Sequence, residues 1–418
     1  MWCPIRTLTC VTVNRFRWAA CHLDELKKCT KRKKTLNYIL ESLPETLEGT
    51  YDQILSRIPP ADASCAAKLL LWLAFSKQPL HIDYLAVVVE FDLEEKAFVP
   101  DARLSSPADV LKICSSLVTR MSDDTVQLAH ASVKKYIQEK TRVMQSNTVM
   151  DPCTGDGFIC QCCITYLLYS NETHPSEQFI FLEEPNRKRY QQSLVRYAAK
   201  HWAKHLLQAN YDTLVVKQIK RLFIPTSFAF QNWVKVYNYD LLQFKSGSDT
   251  KCMWSKNLLQ SAALHGVTVI VKWLLLSVKQ IDKIIGAFNT ASLHQHLDTV
   301  EVLLEEVERV IEVIANGNNE RKSCLVLGEN AKAILMGELC GDALQAASHG
   351  GNVKIVQILL EKGANVNAQG PHGNALQNAL YARNSEIVKV LLEQGVDVNA
   401  QASRTSWKCS SGCIIPGK

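Results

Sequence analysis

The sequence predicts a mainly α-helical chain in three successive parts: helices with one β-hairpin, a helical connector, and a solenoid of paired helices. Three observations carry this. Leu344, Gly363 and Asn367 recur as Leu376, Gly395 and Asn399, each 32 residues on, inside a block that repeats in register throughout. Apolar residues ahead of that block fall mostly at the spacing of helix faces. Between Leu117 and Leu128 the apolar period shortens to two, the pattern of a strand pair. A repeat solenoid displays a binding surface more often than it houses chemistry, so the repeat directs the functional reading towards recognition.

The elements can be justified in chain order. Phe16 to Cys29 has helical spacing, and Lys27, Lys28, Lys31, Arg32, Lys33 and Lys34 crowd behind it. Such a run is a solvated linker or a nuclear-import or nucleic-acid patch. A helix from Thr35 ends near Ser42, because Pro44 is disfavoured inside a helix and favoured in the first turn of the next. Ala63 to Phe75 follows, with Leu69, Leu70, Trp72 and Leu73 inward and Pro79 as its stop. His81–Phe91 and Pro107–Leu117 are two more helices, the second capped by Ser105 or Ser106. Leu117–Thr119, the polar turn Ser122-Asp123-Asp124, and Thr125–Leu128 form the hairpin, and His130 to Ile137 returns to helix.

Residues 146–250 read as the connector. His201 and His205 stand one helical turn apart there, but Ala203 and Lys204 replace the Glu of H-E-x-x-H, so they read as ordinary helix-face histidines. Two degenerate repeats precede the regular ones. Leu259-Gln260 with Ile270-Val271 aligns with Leu344-Gln345 and Ile355-Val356 at an offset of 85, and Ala291–His294 with Thr299–Leu304 forms another unit. Val307–Cys340 reads as irregular. In the regular units Ile355, Val356, Leu359 and Leu360 give a broad apolar helix face, and Gly363 ends the helix in the left-handed region.

The totals exclude several function classes. The chain has 418 residues, 47% apolar and 21% charged, with a net charge of +6, which describes two or three globular domains. The first residues lack the basic and apolar regions of a signal peptide, and no run of eighteen apolar residues exists. The 15 cysteines are scattered, and the group Cys153, Cys160, Cys162 and Cys163 lacks paired C-x2-C spacing. Reduced thiols and a cytoplasmic location follow, with the nucleus as an alternative. Gly-Lys occurs only at Gly417-Lys418, so no phosphate loop is present, and no G-x-S-x-G elbow exists. No catalytic, cofactor-binding or metal-binding residue is assigned.

The repeat resembles the ankyrin family, whose period is about 33 residues. Phe16-Arg17-Trp18-Ala19, Leu43-Pro44 through Leu55, and His130-x-Ser132-Val133-Lys134-x-Tyr136 resemble the winged helix of GPI inositol-deacylase type that follows the NACHT module in fungal STAND (NLR-like) proteins. The resemblance implies a NACHT remnant with the basic cluster at 1–33, a winged-helix domain at 34–145, a connector at 146–250, ankyrin repeats at 251–402 (two degenerate, two regular) and a tail at 403–418. It also implies that the NACHT ATPase core is lost, split off or left out. The deacylase label then names a fold and carries no activity.

The function so implied is a non-enzymatic protein-interaction module of a STAND-type signalling or recognition protein, without cofactor and without membrane. The expected partner surface is Gln345, Ser348, His349, Gln369, Pro371, His372, Gly373, Gln377, Asn378 and Tyr381, with self-association through the uncapped last repeat. By resemblance His130 is a vestigial nucleotide sensor; from the residues alone it is a capping or packing histidine. Two alternatives stand beside this reading: the regulatory half of a nucleotide switch working with a NACHT module in trans, and a winged-helix nucleic-acid binder.

Overall fold

The computed structural model of the chain describes residues 44, 46–92, 95, 97–99, 104–144, 155–173, 187–209, 213–224, 227–243, 257–278, 280–316, 329–370 and 373–400. The chain forms two compact units divided between Gln218 and Ile219. The helix and basic cluster expected over 1–33 and the tail at 403–418 lie outside the described residues.

The first unit begins with α1 (Leu47–Ser56), which starts where Thr46 Oγ1 accepts the Gly49 N–H at 3.0 Å. α2 (Pro60–Phe75) has proline in its first turn and buries Leu69, Leu70, Trp72 and Leu73. Then come β1 (Leu80–His81), α3 (Ile82–Val88), the short hairpin β2 (Phe91–Asp92) and β3 (Ala97–Phe98), α4 (Asp109–Cys114), a 3-10 turn at Ser115–Leu117, β4 (Val118–Arg120), β5 (Thr125–Leu128) and α5 (Ala131–Met144). β5 lies between the other two strands of its antiparallel sheet, with Leu80 opposite Val126 and Val118 opposite Leu128. Helix, strand, two helices and a hairpin whose second strand pairs with the first is winged-helix topology.

The helix expected over His81–Phe91 is shorter at both ends because its terminal residues pair as strands. Leu80 and His81 meet Val126 and Thr125, while Phe91 pairs with Phe98, their rings edge-on at 5.3 Å. α4 is likewise shorter than expected. Its capping residue is Ser106, whose Oγ accepts the Ala108 N–H at 3.3 Å while Asp109 Oδ2 accepts the Ser106 N–H at 3.1 Å.

The first half of the connector joins this core. α6 (Gly155–Thr173) and α7 (Arg187–Leu206) pack on each other and on the winged helix. Ring contacts carry the seam: Trp72–Tyr197 at 5.2 Å, Phe91–Phe158 at 5.9 Å and Phe98–Tyr166 at 4.9 Å. Gly155 lies so close to Phe75 that an added Cβ would sit 2.3 Å from the ring.

α8 (Thr213–Leu222) carries the boundary between the units, and α9 (Phe228–Gln243) belongs to the second. Phe223, Phe230 and Trp233 form an aromatic cluster that reaches the first repeat through Trp233 and His265 at 5.3 Å. Four helix pairs follow among the described residues: α10 (Leu258–Leu264) with α11 (Thr268–Leu275), α12 (Ile281–Leu293) with α13 (Leu297–Asn316), α14 (Glu329–Gly350) with α15 (Val353–Glu361), and α16 (Ala375–Tyr381) with α17 (Ser385–Glu393). Each turn inside a pair places one residue in the left-handed region: Gly266 (φ 66°), Gln295 (φ 64°), Gly351 (φ 91°) and Arg383 (φ 56°).

Val307–Cys340, expected to be irregular, is helical in its described parts. α13 continues to Asn316 because Val300, Leu303, Leu304, Val307 and Ile311 sustain one buried stripe, and α14 starts at Glu329, with Met336 and Cys340 buried before the repeat proper begins.

Candidate interaction surface of the repeats

The surface of the repeats is decided by which polar side chains the stack consumes. Asn352 and Asn384 cap α15 and α17 by accepting the N–H of Ile355 at 3.2 Å and of Ile387 at 3.1 Å. Asn374 and Gln377 form a reciprocal capping box on α16. Further ties close each repeat and join it to its neighbour. Gln345 Nε2 donates to the Ala368 carbonyl at 3.1 Å, Gln377 Nε2 to the Ala400 carbonyl at 2.8 Å, and Asn384 Nδ2 to the Gly351 carbonyl at 3.1 Å. Gln295 Nε2 reaches the Gly350 carbonyl. Between the first two pairs, Thr268 and Thr299 hydroxyls meet at 2.8 Å and Gln260 donates to Thr290 at 3.0 Å.

These ties sort the expected partner-binding residues. Gln345, Ser348, Gly373 and Asn378 are buried, so they serve the stack and do not face a partner. Gln377 is half-buried and doubly engaged as cap and tie. Gln369 is exposed; Pro371 and His372 lie outside the described residues. His349 is half-buried and its ring lies 5.4 Å from that of Tyr381 at 14°, a stacked pair, with Tyr381 63% exposed. Leu380 beside it is 58% exposed. Leu380 was not among the expected residues, although its signal was available: it occupies the place of buried Ser348 one repeat earlier. On the last pair Leu392 and Val398 are also exposed.

His130 serves as a cap. Its Nδ1 accepts the Ser132 N–H at 3.1 Å and lies 2.6 Å from Ser132 Oγ, which in turn is 2.8 Å from the Tyr51 hydroxyl of α1. On the winged helix, the face usually turned to nucleic acid carries Asp109 on α4 and Asp123 and Asp124 in the wing. Among the described residues, Lys112 pairs with Asp109 at 2.7 Å and Arg120 with Asp124 at 2.6 Å. Cys160, Cys162 and Cys163 are buried on α6, where burial pushes the Cys162 and Cys163 thiols well above the ordinary range. Among the described residues no three His, Cys, Asp or Glu side chains gather as a metal site, and no helix is long and apolar enough to cross a membrane.

Comparison with known proteins agrees with this architecture. Residues 61–148 match the family described as GPI inositol-deacylase, winged helix domain, and residues 310–402 match the family described as Ankyrin repeats (3 copies). A Monascus ruber protein named azaphilone pigments biosynthesis cluster protein L is 29% identical over 357 residues, 82% of this chain. The chain spans about 65% of that relative's length. This chain therefore carries a winged-helix domain of the GPI inositol-deacylase type together with ankyrin repeats.

Proposed function

We propose that the chain is the non-enzymatic, partner-binding portion of a fungal STAND-type signalling or recognition protein. The observation that carries this is the exposed pair Leu380 and Tyr381 at the end of α16, with the His349 ring stacked on Tyr381. Tyrosine is among the residues that supply most of the binding energy at protein interfaces, and Leu380 adds apolar area beside it. Gln345, Asn374, Gln377 and Asn384 around them are spent on caps and ties. The surface offered to a protein partner is accordingly Tyr381, Leu380, His349 and Gln369, in a cytoplasmic setting. The Monascus relative is named for a pigment biosynthesis cluster; we infer for this chain a binding role beside biosynthetic enzymes.

A nucleotide switch completed in trans is less well supported, since His130 is engaged in capping α5. Nucleic-acid binding by the winged helix is disfavoured by the carboxylates on its reading face, which repel phosphate. The test is affinity capture from a fungal extract with the wild-type chain, with H349A/Y381A, and with Lys217→Ala as an exposed control. We expect a partner retained by wild type and control and lost by the double variant, with melting unchanged. Retention by the double variant, or micromolar magnesium-dependent ATP binding by the chain, would overturn the reading.

A further inference from the structure

In the first unit a chain of buried polar groups crosses the seam between the winged helix and the α6–α7 pair. Tyr197, His201 and His205 recur every four residues along one face of α7. Opposite them stand Asp156 in the first turn of α6 and Lys77 and Gln78 in the turn between α2 and β1. His205 is fully buried, its Nδ1 2.7 Å from Asp156 Oδ1 and its Nε2 2.8 Å from the Tyr197 hydroxyl. The Lys77 backbone N–H donates to that hydroxyl at 3.0 Å, and Lys77 Nζ pairs with Asp156 at 2.7 Å. One turn earlier His201 Nε2 lies 3.3 Å from Gln78 Oε1, and its buried Nδ1 has no hydrogen-bond partner.

The directions of these bonds are fixed by chemistry. An ionised carboxylate only accepts and a peptide N–H only donates. His205 therefore donates from Nδ1 to Asp156 and accepts at Nε2 from the Tyr197 O–H, whose oxygen accepts from Lys77. The Asp156–His205–Tyr197–Lys77 bonds are all satisfied while the His205 imidazole is neutral. A proton on Nε2 would aim a second donor at the Tyr197 oxygen and leave the phenolic O–H without an acceptor in the network. A proton on His201 Nδ1 would add charge at a site with no partner.

We propose that Lys77, Asp156, Tyr197, His201 and His205 form a proton-operated latch: with both imidazoles neutral it clamps α7 to the α2–β1 turn, and their protonation opens that seam at the Trp72–Tyr197 contact. Asp156 from α6 is the charge that favours the imidazolium. Lys77 from the turn opposes it at both histidines, and Lys204, His205 and Lys200 on α7 oppose it at His201. Burial is the largest influence on both; it brings His201 down to about 4 and lowers His205 against the pull of Asp156. Because the closed form resists protons that the open form accepts, His201 raises the opening constant by up to about tenfold per pH unit between about 6.5 and 4, and His205 adds in the same direction.

The test is hydrogen exchange of the full chain at pH 7 and pH 5, expressed as protection factors. Protection over residues 194–205 should fall at least about tenfold while the hairpin 118–128 keeps its own, and H201Q/H205Q should remove the difference. Equal protection at both pH values, an equal loss in 118–128, or a loss that persists in the double variant would overturn the proposal. Should that variant fail to fold, NMR titration of the two imidazole Cε1–H resonances in the wild-type chain decides. Midpoints that track the loss of protection support the latch, and titration without such a loss refutes it.

Discussion

Gln345 and Gln377, one repeat apart, make the same bond: each donates its side-chain amide to a main-chain carbonyl 23 residues ahead, Ala368 and Ala400 respectively. The repeat is thus closed by a hydrogen bond that spans a helix pair and holds the start of the turn leading to the next. Gln345 is 7% exposed, whereas Gln377 is half-buried. The acceptors Ala368 and Ala400 are both half-buried, so the two bonds differ at the donor: water replaces the Gln377 amide more readily than that of the secluded Gln345.

Gln345→Ala should therefore cost about 1–3 kcal/mol and Gln377→Ala about 1 kcal/mol or less. Urea unfolding measures both, and equal losses would show that the second tie is as secluded as the first.

Gly266→Ala should cost more than Gly351→Ala. Both glycines have positive φ, which alone is worth about 1–2 kcal/mol against a side chain. A Cβ on Gly266 would also stand 2.4 Å from the His296 ring, which donates to the Leu264 carbonyl at 2.9 Å, whereas on Gly351 the nearest atom is 3.5 Å away. Thermal melting of the two variants ranks them, and a milder effect at Gly266 would contradict the observed packing.

The repeats should lose stability in acid through His294. Burial lowers it to about 4, and the neighbouring His296 adds to the shift. The folded value lies below the unfolded one of about 6.5, so the unfolded chain binds the extra proton. The contribution is complete above pH 6.5 and lost as pH falls towards 4, on the order of 2 kcal/mol. Melting between pH 7.5 and 4.5 should show this slope, flattened in His294→Gln; an unchanged slope in that variant would rule out the assignment.

The last pair should open before its neighbour. Leu392 is 48% exposed and Val398 62% exposed, although Ile387 and Leu391 are buried. Apolar area left wet forgoes roughly 25 cal/mol per Å². Hydrogen exchange should find residues 385–393 less protected than 353–361. Concentration-dependent protection of 385–393 would indicate pairing of copies through this edge, and equal protection in a monomer would count against the idea.

Much of this fold is legible in the chain because its signals are local. Leu344, Gly363 and Asn367 fix the repeat, and the period-two run around Val118 and Val126 fixes the hairpin. β1 is hidden because its partner Val126 lies far along the chain and two residues have no period. β2 follows an apolar run, Val87-Val88-Val89, that continues a helix pattern equally well. The surface was harder. Gln345, Ser348 and Asn378 look like outward polar residues until the carbonyls and the neighbouring repeat that cover them are in place. His205 resembled a routine helix-face histidine because Asp156, its partner, is 49 residues away.

The unequal helices have a practical consequence. α13 and α14, at about 30 and 33 Å, are more than twice the length of α15 and α17 at about 14 Å. The extra turns, which end at Asn316 and begin at Glu329, form a spur that carries none of the ties at Gln295, Gln345, Gln377 and Asn384. A fluorescent reporter or epitope inserted between those ends would leave Gln345, Asn384 and Tyr381 in place, which makes this spur the natural handle for tracking the protein in living cells.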